Sequence, residues 1–443
     1  MPDARALFSG KKITVMGLGL LGRGLSDTLF LIRCGAEVTV TDLKTAEELA
    51  PSVKRLEGLP CRLRLGAHDP DDFINADMIL RGAGVPRSSP FLLMAAEHGI
   101  PVEMDESLFC RHFQGRIIGV TGTRGKTTTT ILIHEILSAH LAGVHLSGNV
   151  MGRATLPLLE TAGPDDTVVL ELSSWQLQGF HDAKMSPHAA IFTNIYPDHL
   201  DKYADMDEYI EDKKAIYRYQ TDGDFCIFNG DQPETARLAE ESPAATDFFS
   251  VTDVPKDWRL KIPGAHNRAN VAEAVALTRK LLVPEEVIRA AVQSFAGVEH
   301  RLQWLGEKHG IAFINDSAST TPVAGCAALD SMPDRRVLLI AGGSDKKLDL
   351  RPFARAAAAR CAKIALLQGD ATDALAREIM AAGGAEKLLD SFHDLRSAVE
   401  KLVEEAVTGD VVLLSPGCAS FGMFKNEYDR GDQFIGIVKE MFV

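Results

Sequence analysis

Lys126 and Thr127 follow Gly122 and Gly125 in the run TGTRGKTTTT (Thr121–Thr130), and residues of those types at that spacing can hold a phosphate. Glycines allow a tight turn, the N–H groups at a helix start point outward, and the helix dipole favours an anion there. The Lys126 ammonium adds a mobile positive charge, and the Thr127 hydroxyl can bind Mg2+. The pattern departs from the usual G-x-x-x-x-G-K, because Val120 stands where the first glycine belongs and Gly122 comes three before Gly125. The bland alternative is an ordinary strand–turn–helix with a solvated lysine. GKT directly after a β-branched run argues against it.

Further chemistry sits at strand ends. Glu171 lies at the end of TVVLEL (Thr167–Leu172), and AAIFTNI (Ala189–Ile195) runs into Tyr196-Pro-Asp198-His199-Leu-Asp201. A glutamate and a histidine are poor core residues there. In a parallel sheet both face the crevice of the phosphate loop, so Thr127, Glu171 and His199 are candidate Mg2+ neighbours. Imidazole is an unusual magnesium ligand, and a solvated strand end or a histidine capping Asp201 is the competing reading. Lys213 and Lys214 lie on a helical stretch, Met206–Gln220, and alone read as a solvated face. Asn267 and Asn270, in GAHNRAN, open a helix to about Leu282 and share one face of one turn. They can read the polar edges of a base or cap the helix.

These groups need a frame. Arg116–Thr121 reads as a buried strand, and the helix from Lys126 offers Ile131, Ile133, Ile136 and Leu137 as its buried stripe. Earlier in the chain KITVM (Lys12–Met16) is a strand, followed by Gly17-Leu-Gly19-Leu-Leu-Gly22, a helix to about Arg33, and EVTVT closed by Asp42. This is G-x-G-x-x-G with an acid about twenty residues on, inside a βαβ unit. Taken alone it indicates NAD or FAD, with Asp42 on ribose hydroxyls; a tight βα turn is the alternative. Met78–Leu80 then leads into Gly82-Ala-Gly84-Val-Pro86 at the same sheet edge, and the block ends near Gly115. From Ile311 strands and helices alternate again in a second doubly wound unit. Its strand ends carry Asp316, Gly342–Lys346 and Ser415–Phe421, and Gly297–Arg301 reads as the linker before it.

At 443 residues the chain exceeds one average domain, so two to four are expected. A net charge of −14 argues against a nucleic-acid partner. The seven cysteines are scattered without a C-x-x-C pair, which fits reduced thiols in the cytoplasm. No signal-peptide pattern and no apolar run of about 18 residues is present, so no membrane insertion is expected.

The set of motifs resembles the Mur ligases of peptidoglycan synthesis over essentially the whole chain. The resemblance rests on TGTRGKTTT, ELSSWQL (Glu171–Leu177), TNIYPDHLD (Thr193–Asp201), GAHNRAN, EHR (Glu299–Arg301), NDSAST (Asn315–Thr320), GGSDKK and SPGCASFGMFKNEYDRGDQF (Ser415–Phe434). It implies an α/β fold of three domains: a Rossmann-like UDP-sugar-binding domain over 1–115, a P-loop ATP-binding central domain with a mostly parallel sheet over 116–298, and a Rossmann-like amino-acid-binding domain over 299–443. It also implies ATP and two Mg2+ ions as cofactors. The members most alike add glutamate, D-glutamate foremost, to UDP-N-acetylmuramoyl-L-alanine through an acyl phosphate. Addition of L-glutamate, or a nicotinamide-dependent oxidoreductase fused to a P-loop unit, is the alternative.

The resemblance also implies roles. Gly19, Leu20, Leu21, Asp42, Gly84 and Asn149 surround the UDP-sugar. Gly122, Thr123, Gly125, Lys126, Thr127, Thr128, Asn267, Asn270, Arg301 and Asp316 surround ATP. Thr127, Glu171, His199 and a carbamylated Lys213, which fits better than Lys214, hold metal. Thr320, Lys346, Ser420 and Phe421 bind glutamate, and Lys126, His199, Lys213 and Arg301 act in catalysis. Many members have lysine at Ala318 and an aromatic residue at Glu427; both departures lie toward the amino-acid pocket. A cytoplasmic monomer is expected.

Overall fold

The computed structural model of the chain describes residues 4–19, 22–150, 152–198, 202–262, 264–346 and 348–442. Three sheets organise it. The first contains β1 (Lys12–Met16), β2 (Glu37–Asp42), β3 (Cys61–Leu65), β4 (Met78–Arg81) and β5 (Val102–Glu103), in the order β3-β2-β1-β4-β5 with every pair parallel. The second contains β6 (Arg116–Thr121), β7 (Val144–Gly148), β8 (Thr167–Glu171), β9 (Ala189–Phe192), β10 (Phe225–Asn229) and β11 (Ala245–Phe249), in the order β11-β10-β9-β6-β8-β7, also all parallel. The third contains β12 (Gln303–Lys308), β13 (Ile311–Asn315), β14 (Val337–Gly342), β15 (Cys361–Leu367), β16 (Leu388–Phe392) and β17 (Val411–Leu414), in the order β12-β13-β17-β14-β15-β16. Here β12 runs antiparallel to β13 and the other pairs are parallel.

The strands form where continuous apolar, β-branched runs can be covered on both faces. In β14 the covering alternates with period two: Val337, Leu339 and Ala341 join one core, and Leu338 and Ile340 join the other. Each valine, leucine or isoleucine among them contributes roughly 1.5–3 kcal/mol on burial. The chain divides into two compact units, residues 1–255 with 269–291 and residues 256–268 with 292–443. The first two sheets belong to the first unit and the third sheet to the second.

Register in the second sheet sets up the chemistry. β6 lies between β8 and β9, with Val120 opposite Glu171 and Thr121 opposite Phe192. The carboxyl ends of β6, β8 and β9 therefore open at one edge, where ligands of open parallel sheets bind.

Several local expectations are corrected. The helix Lys126–Ser138 buries Leu132 with Ile133, Ile136 and Leu137, whereas Ile131 is only half-buried. The helix from Met206 ends at Lys214, short of Gln220. The helix Ala265–Lys280 stops before Leu282, which is exposed with φ +61°. The edge strands β3 (CRLRL) and β16 (LLDSF) are short and mix charged and apolar residues, β3 in strict alternation. No described helix is long and apolar enough to cross a membrane, and all seven cysteines are free.

Candidate active site

The phosphate loop joins β6 to the helix Lys126–Ser138 through two positions that only glycine fits. Gly122 has φ +142°, and a Cβ there would lie 2.0 Å from Thr193 Oγ1. Gly125 has φ +83°, and a Cβ there would lie 2.2 Å from Asn270 Oδ1. The end of β9 braces the loop. Asn194 accepts from Arg124 N at its side-chain oxygen (2.8 Å) and from Thr123 N at its carbonyl (2.9 Å). Thr193 Oγ1 donates to Arg124 O at 2.8 Å, and Thr123 Oγ1 accepts from Tyr196 N at 3.0 Å. Lys126 Nζ curls back to donate to the carbonyls of Gly122 (3.2 Å) and Thr123 (3.0 Å). Thr127 and Thr128 occupy the first helical turn, half-buried, and Asn267 and Asn270 are buried on the helix Ala265–Lys280.

The solvated-face reading fails for Lys213. Its side chain is 1% exposed, and Nζ donates to Gly122 O at 2.9 Å while standing 4.6 Å over the Tyr209 ring. Burial, and then the charge of Lys126, hold its pKa well below the ordinary lysine value, against the opposing pull of Asp198, Asp212 and Glu171. Lys214, its neighbour, instead pairs with Glu241 at 2.6 Å.

Glu171 is buried at the end of β8. Its Oε1 accepts from Asn149 Nδ2 at 3.0 Å, and its Oε2 has no hydrogen-bond partner. An orphaned, buried carboxylate oxygen is costly unless a cation completes it. Among the described residues no three His, Cys, Asp or Glu side chains converge into a cage. The open Oε2 of Glu171 fits Mg2+, which takes one or two carboxylates and completes its shell with phosphates and water. His199, Leu20 and Leu21 lie outside the described residues.

A cavity of about 1180 Å³ runs through the first unit from Asp42 and Gly84 to Lys126, Asn149 and Ser173. At its far end Gly19 N donates to Asp42 Oδ2 (3.1 Å) and Lys44 N to Oδ1 (3.0 Å), which fixes the carboxylate. Of the residues expected at a UDP-sugar, Gly19, Asp42, Gly84 and Asn149 line this one cavity together with the phosphate-loop lysine. Arg23, Asp27 and Asp105 also line it and were not anticipated from sequence. A second groove of about 780 Å³ lies at the opposite ends of β1–β3, at Lys12, Glu37 and Cys61, and holds none of this set.

The second unit has its own polar cluster. Arg301 is exposed between His300 (φ +63°) and Leu302 (φ +44°), both outside the usual range for side-chain-bearing residues. Asp316 is buried, accepting from Leu302 N at 3.1 Å and from Ser415 Oγ at 2.8 Å. Burial pushes its carboxyl up to about 7. Lys346 Nζ donates to Thr320 Oγ1 at 2.9 Å. Ser420 Oγ is buried without a hydrogen-bond partner, and Phe421 is 62% exposed with its carbonyl accepting from Ser344 Oγ. Arg430 was missed. It is fully buried, and it donates from Nε to Ser317 Oγ (2.9 Å) and from Nη2 to Ser317 O (2.8 Å). Burial pulls it down to about 10. Ser317 Oγ in turn donates to the Glu427 carbonyl at 2.6 Å, so Arg430 ties the Asp316–Thr320 segment to the last helix.

Comparison with known proteins agrees in all three regions. The chain matches the Mur ligase MurD-like N-terminal domain over residues 11–103, the Mur ligase middle domain over 120–259 and the Mur ligase glutamate ligase domain over 300–418. It is 39% identical to the UDP-N-acetylmuramoylalanine–D-glutamate ligase of Roseiflexus sp. (strain RS-1), over 97% of this chain and 99% of that protein. It is 34% identical to the protein of the same name from Symbiobacterium thermophilum, over 97% and 98%. In fold it is similar to the UDP-N-acetylmuramate-alanine ligase MurC of Thermotoga maritima, with a TM-score of 0.60, 19% identity and coverage of 97% and 100%. The MurF ligase of Thermotoga maritima in complex with ADP gives a TM-score of 0.59 at 17% identity, covering 99% of each chain.

Proposed function

The chain belongs to the Mur ligase family, and from that premise we propose that it joins D-glutamate to UDP-N-acetylmuramoyl-L-alanine with conversion of ATP to ADP and phosphate, in peptidoglycan precursor synthesis. One observation carries the reading: a single cavity links the Asp42 end, suited to a sugar nucleotide, with Lys126 of the phosphate loop. A substrate lying along it brings its terminal carboxylate to the γ-phosphate of ATP.

The reaction then has two steps. A carboxylate oxygen attacks the γ-phosphorus, ADP leaves, and an acyl phosphate forms. The neutral amine of glutamate attacks the acyl carbon, the amine proton is released, and inorganic phosphate leaves. The chain's part is positioning and charge neutralisation. Lys126, now folded onto its own loop carbonyls, is proposed to swing to the phosphates. Gly122, Thr123, Gly125, Thr127 and Thr128 present backbone N–H groups and hydroxyls to them. Asn267, Asn270, Arg301 and Asp316 are assigned to the adenosine and phosphates. Gly19, Leu20, Leu21, Asp42, Gly84 and Asn149 are assigned to the sugar nucleotide, and Thr320, Lys346, Ser420 and Phe421 to the glutamate.

Two Mg2+ ions are proposed, and Thr127, Glu171, His199 and a carbamylated Lys213 are the residues that would hold them; bound there, they would neutralise crowded phosphate and carboxylate charge. For Lys213 to serve, its amine must first take up CO2 as a carbamate. Burial lowers the pKa of this amine and so favours the neutral form that reacts with CO2. The domain limits proposed are 1–115, 116–298 and 299–443, in a cytoplasmic monomer. The test is phosphate release from ATP with UDP-N-acetylmuramoyl-L-alanine and each enantiomer of glutamate. Release that requires all three substrates and favours the D form supports the reading. Release indifferent to the sugar nucleotide refutes it.

A further inference from the structure

Three buried acids meet one arginine beside the glycine-rich turn of the first sheet. Asp27, Asp105 and Glu106 are 4%, 6% and 0% exposed, and each has a carboxylate oxygen without a hydrogen-bond partner. Burial first, and then the charge of Asp105, push Asp27 and Glu106 well above the usual carboxylate range. Gln176 donates to Glu106 Oε1, which holds that side chain in place. Arg23 stands in the first turn of the helix Arg23–Arg33, with its guanidinium 3.8 Å from Glu106 Oε1. That is too long for a hydrogen bond. Its short contact points the other way: Nη2 donates to Asn149 Oδ1 at 2.5 Å.

This contact has a direction. A carboxamide has one accepting end and one donating end, and a guanidinium only donates. Arg23 therefore holds the carbonyl end of Asn149 toward itself. The amide end must face Glu171, where Nδ2 donates to Oε1 at 3.0 Å, and Asn149 N also donates to Glu171 O at 2.7 Å. Reversing the carboxamide would set two acceptor oxygens against each other. With the order kept, Oε1 is satisfied and Oε2 alone is left open.

We infer that Arg23 is a positioning residue: lying 3.8 Å from Glu106 and hydrogen-bonded to Asn149, it orients Asn149 and through it fixes which oxygen of Glu171 is free for a cation. It links the glycine-rich loop of the sugar-nucleotide block to the carboxylate beside the phosphate loop. The inference rests on the ligase reading for what Glu171 faces. Partners that orient a ligand in this way typically change metal affinity or activity about 10–100-fold when removed.

The test is a double-mutant cycle of Arg23→Gln and Asn149→Ala in the full chain. Two readouts are used: kcat for phosphate release, and Mn2+ titrated into enzyme with ADP, with free Mn2+ followed by electron paramagnetic resonance. Arg23→Gln should weaken Mn2+ binding and lower kcat, each by about tenfold or more, with Tm shifted by less than about 4 °C. In the Asn149→Ala background the same change should add almost nothing. If Arg23→Gln does not fold, Arg23→Lys keeps the charge beside the acids but offers a single nitrogen, and it should show a smaller loss with the same non-additivity. Wild-type Mn2+ affinity in Arg23→Gln, or a full further loss on top of Asn149→Ala, overturns the inference. Failure of the unmodified enzyme to release phosphate would instead refute the ligase reading, and the Mn2+ titration would still stand.

Discussion

Lys213 Nζ donates to the carbonyl oxygen of Gly122 at 2.9 Å, so a buried amine is in direct contact with the phosphate loop. An ammonium there would face Lys126 as a like charge, and burial already disfavours it. Lys213→Ala should lower kcat on the order of a hundredfold. Short carboxylic acids such as acetate or propionate should restore part of it, by filling the vacated space with an anionic ligand. Steady-state phosphate release with and without added acid checks this, and wild-type activity in Lys213→Ala would discard the carbamate role.

Lys126 and Asp42 line one cavity from different sheets, Asp42 at the end of β2 and Lys126 just after β6, so their losses should separate. Lys126→Ala should abolish turnover while calorimetry shows sugar-nucleotide affinity kept within a few-fold. Asp42→Ala should raise the KM for the sugar nucleotide about tenfold or more, the effect of removing a charged hydrogen-bond acceptor, with kcat much less affected.

Gly125 has φ +83° with Asn270 Oδ1 in the space a side chain would need. Gly125→Ala should cost about 1–2 kcal/mol in backbone strain alone. It should also push Asn270 aside, raising the KM for ATP more than that for glutamate. Initial-rate kinetics with each substrate varied in turn measure the difference.

Glu273 is fully buried and accepts from Thr129 Oγ1, while its second oxygen has no hydrogen-bond partner. Burial raises its pKa from 4.5 to about 8. Between those values the folded chain binds a proton that the unfolded chain has lost, so stability falls as pH rises through this window, at most about 1.4 kcal/mol per unit. Glu273→Gln keeps an acceptor for Thr129 and removes the titration. Thermal melts should show the variant close to wild type at pH 5 and clearly more stable at pH 8. Equal melting curves at both pH values would contradict a neutral Glu273.

What the sequence reveals here is local. The phosphate loop is legible because a β-branched run, two glycines and GKT lie within the twelve positions 116–127. Asp42 is legible because a βαβ unit has a fixed length. The residues that escaped notice owe their environment to distant parts of the chain. Arg23 contacts Asn149 across 126 positions, Thr129 contacts Glu273 across 144, and Arg430 contacts Ser317 across 113. Each reads in sequence as an ordinary polar residue on a helix. Lys213 reads as surface for the same reason, until the fold sets it against Gly122. Helix ends were overrun at Gln220 and Leu282 because periodicity continues past the last hydrogen-bonded turn.

The central claim is that the cavity delivers the sugar nucleotide's own carboxylate to the γ-phosphate. Labelling that carboxylate with 18O and running the complete reaction tests it most directly, by mass analysis of the phosphate released. An acyl phosphate transfers one carboxylate oxygen to phosphate, so each phosphate should carry one 18O derived from the substrate. Phosphate free of label, with all the 18O kept in the amide product or lost to water, would contradict the account.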